Sequence, residues 1–160
     1  MKHRITHRVT PPAESARAAV LRDLLAVAEA NHALLMRLMP RMREVDGMRF
    51  AVAGMHGQPV EVCIRVLERG PYTTLLGIEE LLPAAGWVAP LRATVRLCHD
   101  ARVAEVTEFH PWRRLWARYA YPNAGMHQPD EKLQVNRYLG EWLQHCLRWG
   151  EAREGNSLPA

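Results

Sequence analysis

Three stretches in the middle of the chain alternate apolar and polar residues with period two, and the segments on either side keep a helical period. Val60, Val62, Ile64 and Val66 alternate with Glu61, Cys63 and Arg65. Tyr72, Thr74, Leu76 and Ile78 form a second such run after a Gly70-Pro71 turn. Leu91, Ala93, Val95 and Leu97 alternate with Arg92, Thr94 and Arg96, and His99-Asp100 supplies a hairpin turn into 102–107. Period two places one set of side chains on one face of a sheet and the other set opposite. Strands joined by short turns pair antiparallel, because parallel pairing needs a long crossover. Phe50–Ala53 adds a short strand ahead of the Gly54-Met55-His56-Gly57 turn.

The flanks read as helices. Thr10 caps a helix with prolines in its first turn, where a missing N–H costs nothing. Val20, Leu24, Val27, Leu34, Leu35 and Leu38 continue it, and Asn31-His32 suggests a bend or a break into two. At the other end Gln128 and Pro129 start a helix, and Asp130 and Glu131 oppose the positive end of its dipole. Val135, Leu139, Trp142, Leu143, Cys146 and Leu147 form its apolar face, and Gly150 offers a left-handed stop. Between sheet and helix, the aromatic run 112–121 reads as one more strand rather than a helix. The expected architecture is α+β: an antiparallel meander of about five to six strands packed by N-terminal and C-terminal helices, with one sheet face partly open. Residues 1–10 and 151–160 read as flexible tails around a single domain at 11–150.

Composition removes several classes of function. A serine nucleophile in a hydrolase elbow is excluded in practice, because the two serines are Ser15 and Ser157, near the ends. Neither a glycine-rich phosphate loop nor an HExxH or paired Cys/His zinc spacing occurs, so no metal site and no cofactor are expected. Cys63, Cys98 and Cys146 are odd in number and far apart, which fits reduced thiols in a cytoplasmic protein. No apolar run is long enough for a signal peptide or membrane span. A net charge of +4, carried by 21 Lys and Arg against 17 Asp and Glu, is weak for a nucleic-acid binder.

Two groups of residues are candidates for function. His99, Asp100, His127 and Asp130 could bind a divalent metal or ligand, or serve as acid and base, if the fold brings them together, or could simply make a hairpin turn and a helix terminus. Lys132 and Asn136 fall inside the apolar arc of the last helix, where an unbonded polar group costs about 2–7 kcal/mol. Either Lys132 pairs with Glu105 or sheet carbonyls while Asn136 bonds loop backbone, or the two line a polar pocket for an anionic small molecule at the helix N-terminus. The second group is Trp112, Arg114, Trp116 and Arg118 with Arg92 and Arg96, a Trp/Arg face suited to a protein partner. RNA stacking on that face is a weaker alternative. Packing of the tryptophans under a loop is the structural alternative.

The chain also resembles the YqiB-like family of small bacterial proteins, which carries the label "domain of unknown function". The matching residues include Asn31 through Leu38-Met39-Pro40, Tyr72-Thr73-Thr74, Ile78-Glu79, Val95-Arg96-Leu97, His99-Asp100-Ala101 and Val103-Ala104-Glu105-Val106. The densest segment holds Arg118-Tyr119, Tyr121-Pro122-Asn123, His127-Gln128, Asp130-Glu131-Lys132, Gln134, Asn136, Leu139, Trp142-Leu143, Cys146-Leu147 and Gly150. The resemblance spans approximately 26–150. It implies a cytoplasmic protein without an assigned activity, cofactor or catalytic residue. Trp112 and Trp116 depart from the family pattern, which favours His99/Asp100 and 127–136 over the Trp/Arg face as a shared site. The reading that follows is a non-enzymatic binding or adaptor protein recognising a protein partner. The alternative is a small enzyme or sensor for a phosphorylated or nucleotide ligand at the N-terminus of the C-terminal helix.

Overall fold

The computed structural model describes residues 13–53, 58–81, 91–110 and 129–158. The chain forms helix α1 (Ala13–Leu38), then strands β1 (Gly47–Ala53), β2 (Pro59–Arg69), β3 (Thr73–Leu81), β4 (Arg92–Cys98) and β5 (Val103–His110). Helix α2 (Pro129–Trp149) and strand β6 (Gly150–Leu158) follow. The sheet order is β5-β4-β3-β2-β1-β6, and every neighbouring pair is antiparallel. The α+β meander packed by two helices is therefore the fold. The Thr10 cap, the Gly54–Gly57 turn and the run 112–121 lie outside the described residues.

Register turns the alternation in the sequence into a core. Val66, Leu76, Val95 and Val106 sit opposite one another across β2, β3, β4 and β5. Met48, Ile64, Ile78, Ala93 and Phe109 make a parallel row that extends to β1. Leu35, Met39 and Met42 from the α1 side and Val135, Leu139, Trp142, Leu143 and Cys146 from α2 bury themselves on this one face. At about 25 cal/mol per Å² of apolar surface removed from water, such a layer dominates the stabilisation.

Both helices cross the strands in the same sense. Along α2, Asn136 bonds Val106 of β5, Trp142 bonds Glu80 of β3 and His145 bonds the Ala53 carbonyl of β1. Along α1, His32 meets His99 at the β4–β5 turn, and Leu38 lines a cavity of about 190 Å³ with Met48 of β1 and Cys146 of α2. Asn31 approaches α2 at Gly140, where a Cβ would stand 2.8 Å from Asn31 Oδ1. The missing side chain lets the helices close there.

Two expectations need correction. Asn31-His32 does not break α1 in two: it runs as one continuous helix of 26 residues. Asn31 is buried against α2 and His32 rests on the hairpin, so neither side chain competes for the helix backbone. Second, residues 150–158 are not a loose tail but the strand β6, paired with β1. Without it β1 would be an open edge with a row of unpaired N–H and C=O groups. Gly150 does mark the end of α2, though not through a left-handed backbone: a Cβ there would collide with the Cys146 carbonyl oxygen.

Candidate functional site

The face of the sheet turned away from the helices carries Arg49, Glu61, Cys63, Arg65, Leu67, Gly77, Glu79, Arg92, Thr94 and Arg96. Two cross-strand ion pairs flank its centre, Arg49–Glu61 at 3.8 Å and Arg92–Glu79 at 2.7 Å. Cys63 lies between them in register and is 2% exposed, on the face away from α1 and α2. A β-bulge between Val66 and Glu68 leaves Leu67 on this side, 56% exposed and resting over Gly77. Leu67, Cys63, Gly77, Arg65 and Arg92 line a depression of about 430 Å³. Leu75, Glu68, Arg96 and Cys98 line a second, of about 410 Å³. Arg92 and Arg96 thus lie on the open face, as the alternation requires. Among the described residues Arg65 and Arg96 have no ion pair. Trp112, Arg114, Trp116 and Arg118 lie outside the described residues.

His99 and Asp100 open the four-residue β4–β5 hairpin, which closes at Arg102 with φ 54°. The His99 amide donates to the Tyr72 carbonyl at 2.8 Å, and its ring Nε2 lies 2.8 Å from the fully buried Thr74 hydroxyl. The His32 ring stands edge to face against it, centroids 5.9 Å apart at 72°. Burial lowers the pKa of His32 below the ordinary value, assisted by His99 and Arg102. Burial likewise lowers that of His99, assisted by Arg43 and opposed by Asp100. Arg43 is anchored by a 3.1 Å bond to the Pro71 carbonyl.

Lys132 and Asn136 are engaged within the fold. Lys132 Nζ pairs with Glu105 at 2.7 Å. The Asn136 amide accepts from the Val106 N–H at 3.0 Å and donates to the Lys132 carbonyl at 2.8 Å, while its main-chain oxygen accepts from Asn31 Nδ2 at 2.9 Å. Asn136 thereby satisfies an N–H on the outer strand β5 and ties α1, α2 and β5 together. His99/Asp100 and Lys132/Asn136 form separate networks among the described residues, meeting only through the neighbours Asn31 and His32. His127 and the Asp130 side chain lie outside the described residues.

The sequence candidates leave out two further groups. His32 is one, signalled by a polar Asn-His pair on an otherwise apolar helix face. Glu80 is the other: strict alternation after Thr74, Leu76 and Ile78 puts it on the helix side, where Trp142 Nε1 donates to it at 2.9 Å. Burial, then the Glu80 charge, pushes the Tyr138 hydroxyl and the Cys146 thiol each up to about 12. No three His, Cys, Asp or Glu side chains among the described residues are placed to hold a metal. No described helix is long and apolar enough to cross a membrane.

The family model "Protein of unknown function (DUF1249)" matches residues 34–152. This chain belongs to the YqiB-like DUF1249 family. "Uncharacterized protein YqiB" of Escherichia coli strain K12 is 38% identical over 128 residues, covering 80% of this chain and 89% of the relative. The protein of the same name from Escherichia coli O157:H7 matches with the same figures. No solved structure matches the chain. The DUF1249 span begins in the second half of α1, just after Asn31 and His32, and takes in β1–β5 and α2. Both depressions, the hairpin and the Asn136 network to β5 therefore fall within the part of the chain that defines the YqiB-like family.

Proposed function

We propose that this YqiB-like protein is a binding protein that presents the open face of its sheet to a protein partner. The observation that carries this reading is the pair of depressions on either side of the Leu67 bulge, edged by Arg65, Arg92 and Arg96. An exposed leucine seated over a glycine offers an apolar anchor, and the adjacent arginines suit carboxylates on the partner. Six strands about 4.8 Å apart and about 20 Å long give roughly 550 Å² of flat face, of the order that one side of a standard interface buries. Arg92 is already held by Glu79, so among the described residues of this face Arg65 and Arg96 are the cations that remain for a partner. A site at the N-terminus of α2 draws less support, because Lys132 and Asn136 have internal partners.

The test is site-specific photo-crosslinking in cells, with the reactive residue at Leu67 and, as control, at Glu141 on the exposed side of α2. A partner is captured from position 67 and not from 141, and the Arg65→Glu/Arg96→Glu variant loses it while still folding. The same proteins captured from both positions, or capture that survives charge reversal, would remove the open face as the binding surface.

A further inference from the structure

We propose that the end of the sheet at the β4–β5 hairpin is an oxyanion site that takes inorganic phosphate or a phosphate monoester. It stands independently of the open-face reading, since it uses other residues beside a different edge of the molecule.

Four cationic or protonatable side chains gather there from three separate segments. His32 comes from α1, Arg43 from the loop after it, and His99 and Arg102 from the hairpin. Arg102 lies close enough to His32, and Arg43 close enough to His99, for each charge to act on the ring. The two arginine charges disfavour protonation of the neighbouring rings unless an anion answers them. Asp100 is the one acid that acts on either ring among the described residues, and it is an exposed turn residue. Arg102 makes no ion pair among the described residues, and the one bond of Arg43 goes to the Pro71 carbonyl.

The donors are also poorly used. His32 Nε2 is shielded from solvent and has no hydrogen-bond partner, a state rare for a buried ring nitrogen. His99 is fixed at both ends, by Tyr72 through its amide and by Thr74 through its ring, so it presents a rigid platform to His32. Arg102, held in the left-handed region at the close of the hairpin, carries its guanidinium on the same turn. Guanidinium forks and imidazole N–H groups arriving from three segments suit a tetrahedral anion with three peripheral oxygens better than a carboxylate with two. A dianion would balance Arg43 and Arg102 and favour protonation of both rings.

The experiment follows the histidine ring resonances of the intact protein through a pH titration, in inorganic phosphate and in chloride at matched ionic strength. Phosphate raises the titration midpoints of His32 and His99 relative to chloride and leaves the other histidines in place. Arg43→Gln together with Arg102→Asn weakens phosphate binding at least tenfold; asparagine tolerates the left-handed backbone at 102. Arg43→Gln alone, at an exposed position, repeats the test should the pair fail to fold. Glycerol phosphate in place of the free ion separates a monoester site from a phosphate site. Midpoints that do not move, that move equally in chloride, or that move unchanged in the arginine variants would overturn the assignment.

Discussion

The side-chain amide of Asn31 reaches the main-chain oxygen of Asn136 at 2.9 Å because residue 140, one turn further along α2, has no Cβ. A residue on one helix is therefore held by the absence of a side chain on the other. Asn31 is 1% exposed, so displacing it has consequences that a surface glycine would not.

Gly140→Ala tests that arrangement. Alanine favours a helix by about 1 kcal/mol over glycine, yet here its methyl group would push a buried amide off its partner, at about 1–3 kcal/mol. The expected result is a net loss of up to about 2 kcal/mol in urea denaturation. A gain of stability would show that Asn31 can move freely.

Asn136 and Lys132 are expected to differ. Asn136→Ala leaves the Val106 N–H without its partner, while the Lys132 carbonyl keeps its helical bond, and is expected to cost about 1–3 kcal/mol. Lys132→Met removes an ion pair whose two side chains are each about a third exposed, so its effect stays within about 1 kcal/mol. Equal losses at the two positions would contradict this division.

Acid should loosen the contact between α1 and the hairpin. His32 and His99 both titrate below the ordinary histidine value of 6.5 in the folded chain. The unfolded chain then binds more protons below that value, so stability rises with pH through this window. It is complete above pH 6.5 and is lost as pH falls through the lowered folded values. Melting temperatures followed downward from pH 7 should fall less steeply for His32→Gln than for the parent protein. Identical slopes would mean that His32 takes no part in the acid response.

Cys146 should be inert in the folded state. Burial raises its thiol to about 12, so almost none is thiolate at pH 8. Alkylation followed by mass spectrometry is expected to modify half-buried Cys98 first and Cys146 only after denaturation. Labelling of Cys146 at the rate of Cys98 would indicate that α2 opens from the sheet readily.

The strands were legible because register preserves alternation: Val62, Ile64 and Val66 face the helices and Cys63 and Arg65 do not, as period two demands. The Lys132–Glu105 pair was among the readings open to the sequence, since a lysine in an apolar arc must find a partner. β6 was not legible. Its residues Gly150–Leu158 are polar and lack alternation, and they become a strand because β1 offers an unpaired edge. Asn31-His32 misled for a related reason, because polar residues on a helix suggest a break until the groups that receive them are known. Cys63 lies in register between two ion pairs whose four side chains come from four separate strands, a grouping that no local window joins.

The placement of β6 bears on how the chain is made. β1 is among the first strands to leave the ribosome, but its outer neighbour emerges only after the whole meander and α2 have followed. For most of translation the nascent sheet carries an unguarded flank, able to pair with another chain in the same state. That flank can close only once Gly150–Leu158 has been made, and a protein cut short before Gly150 would keep it open for good.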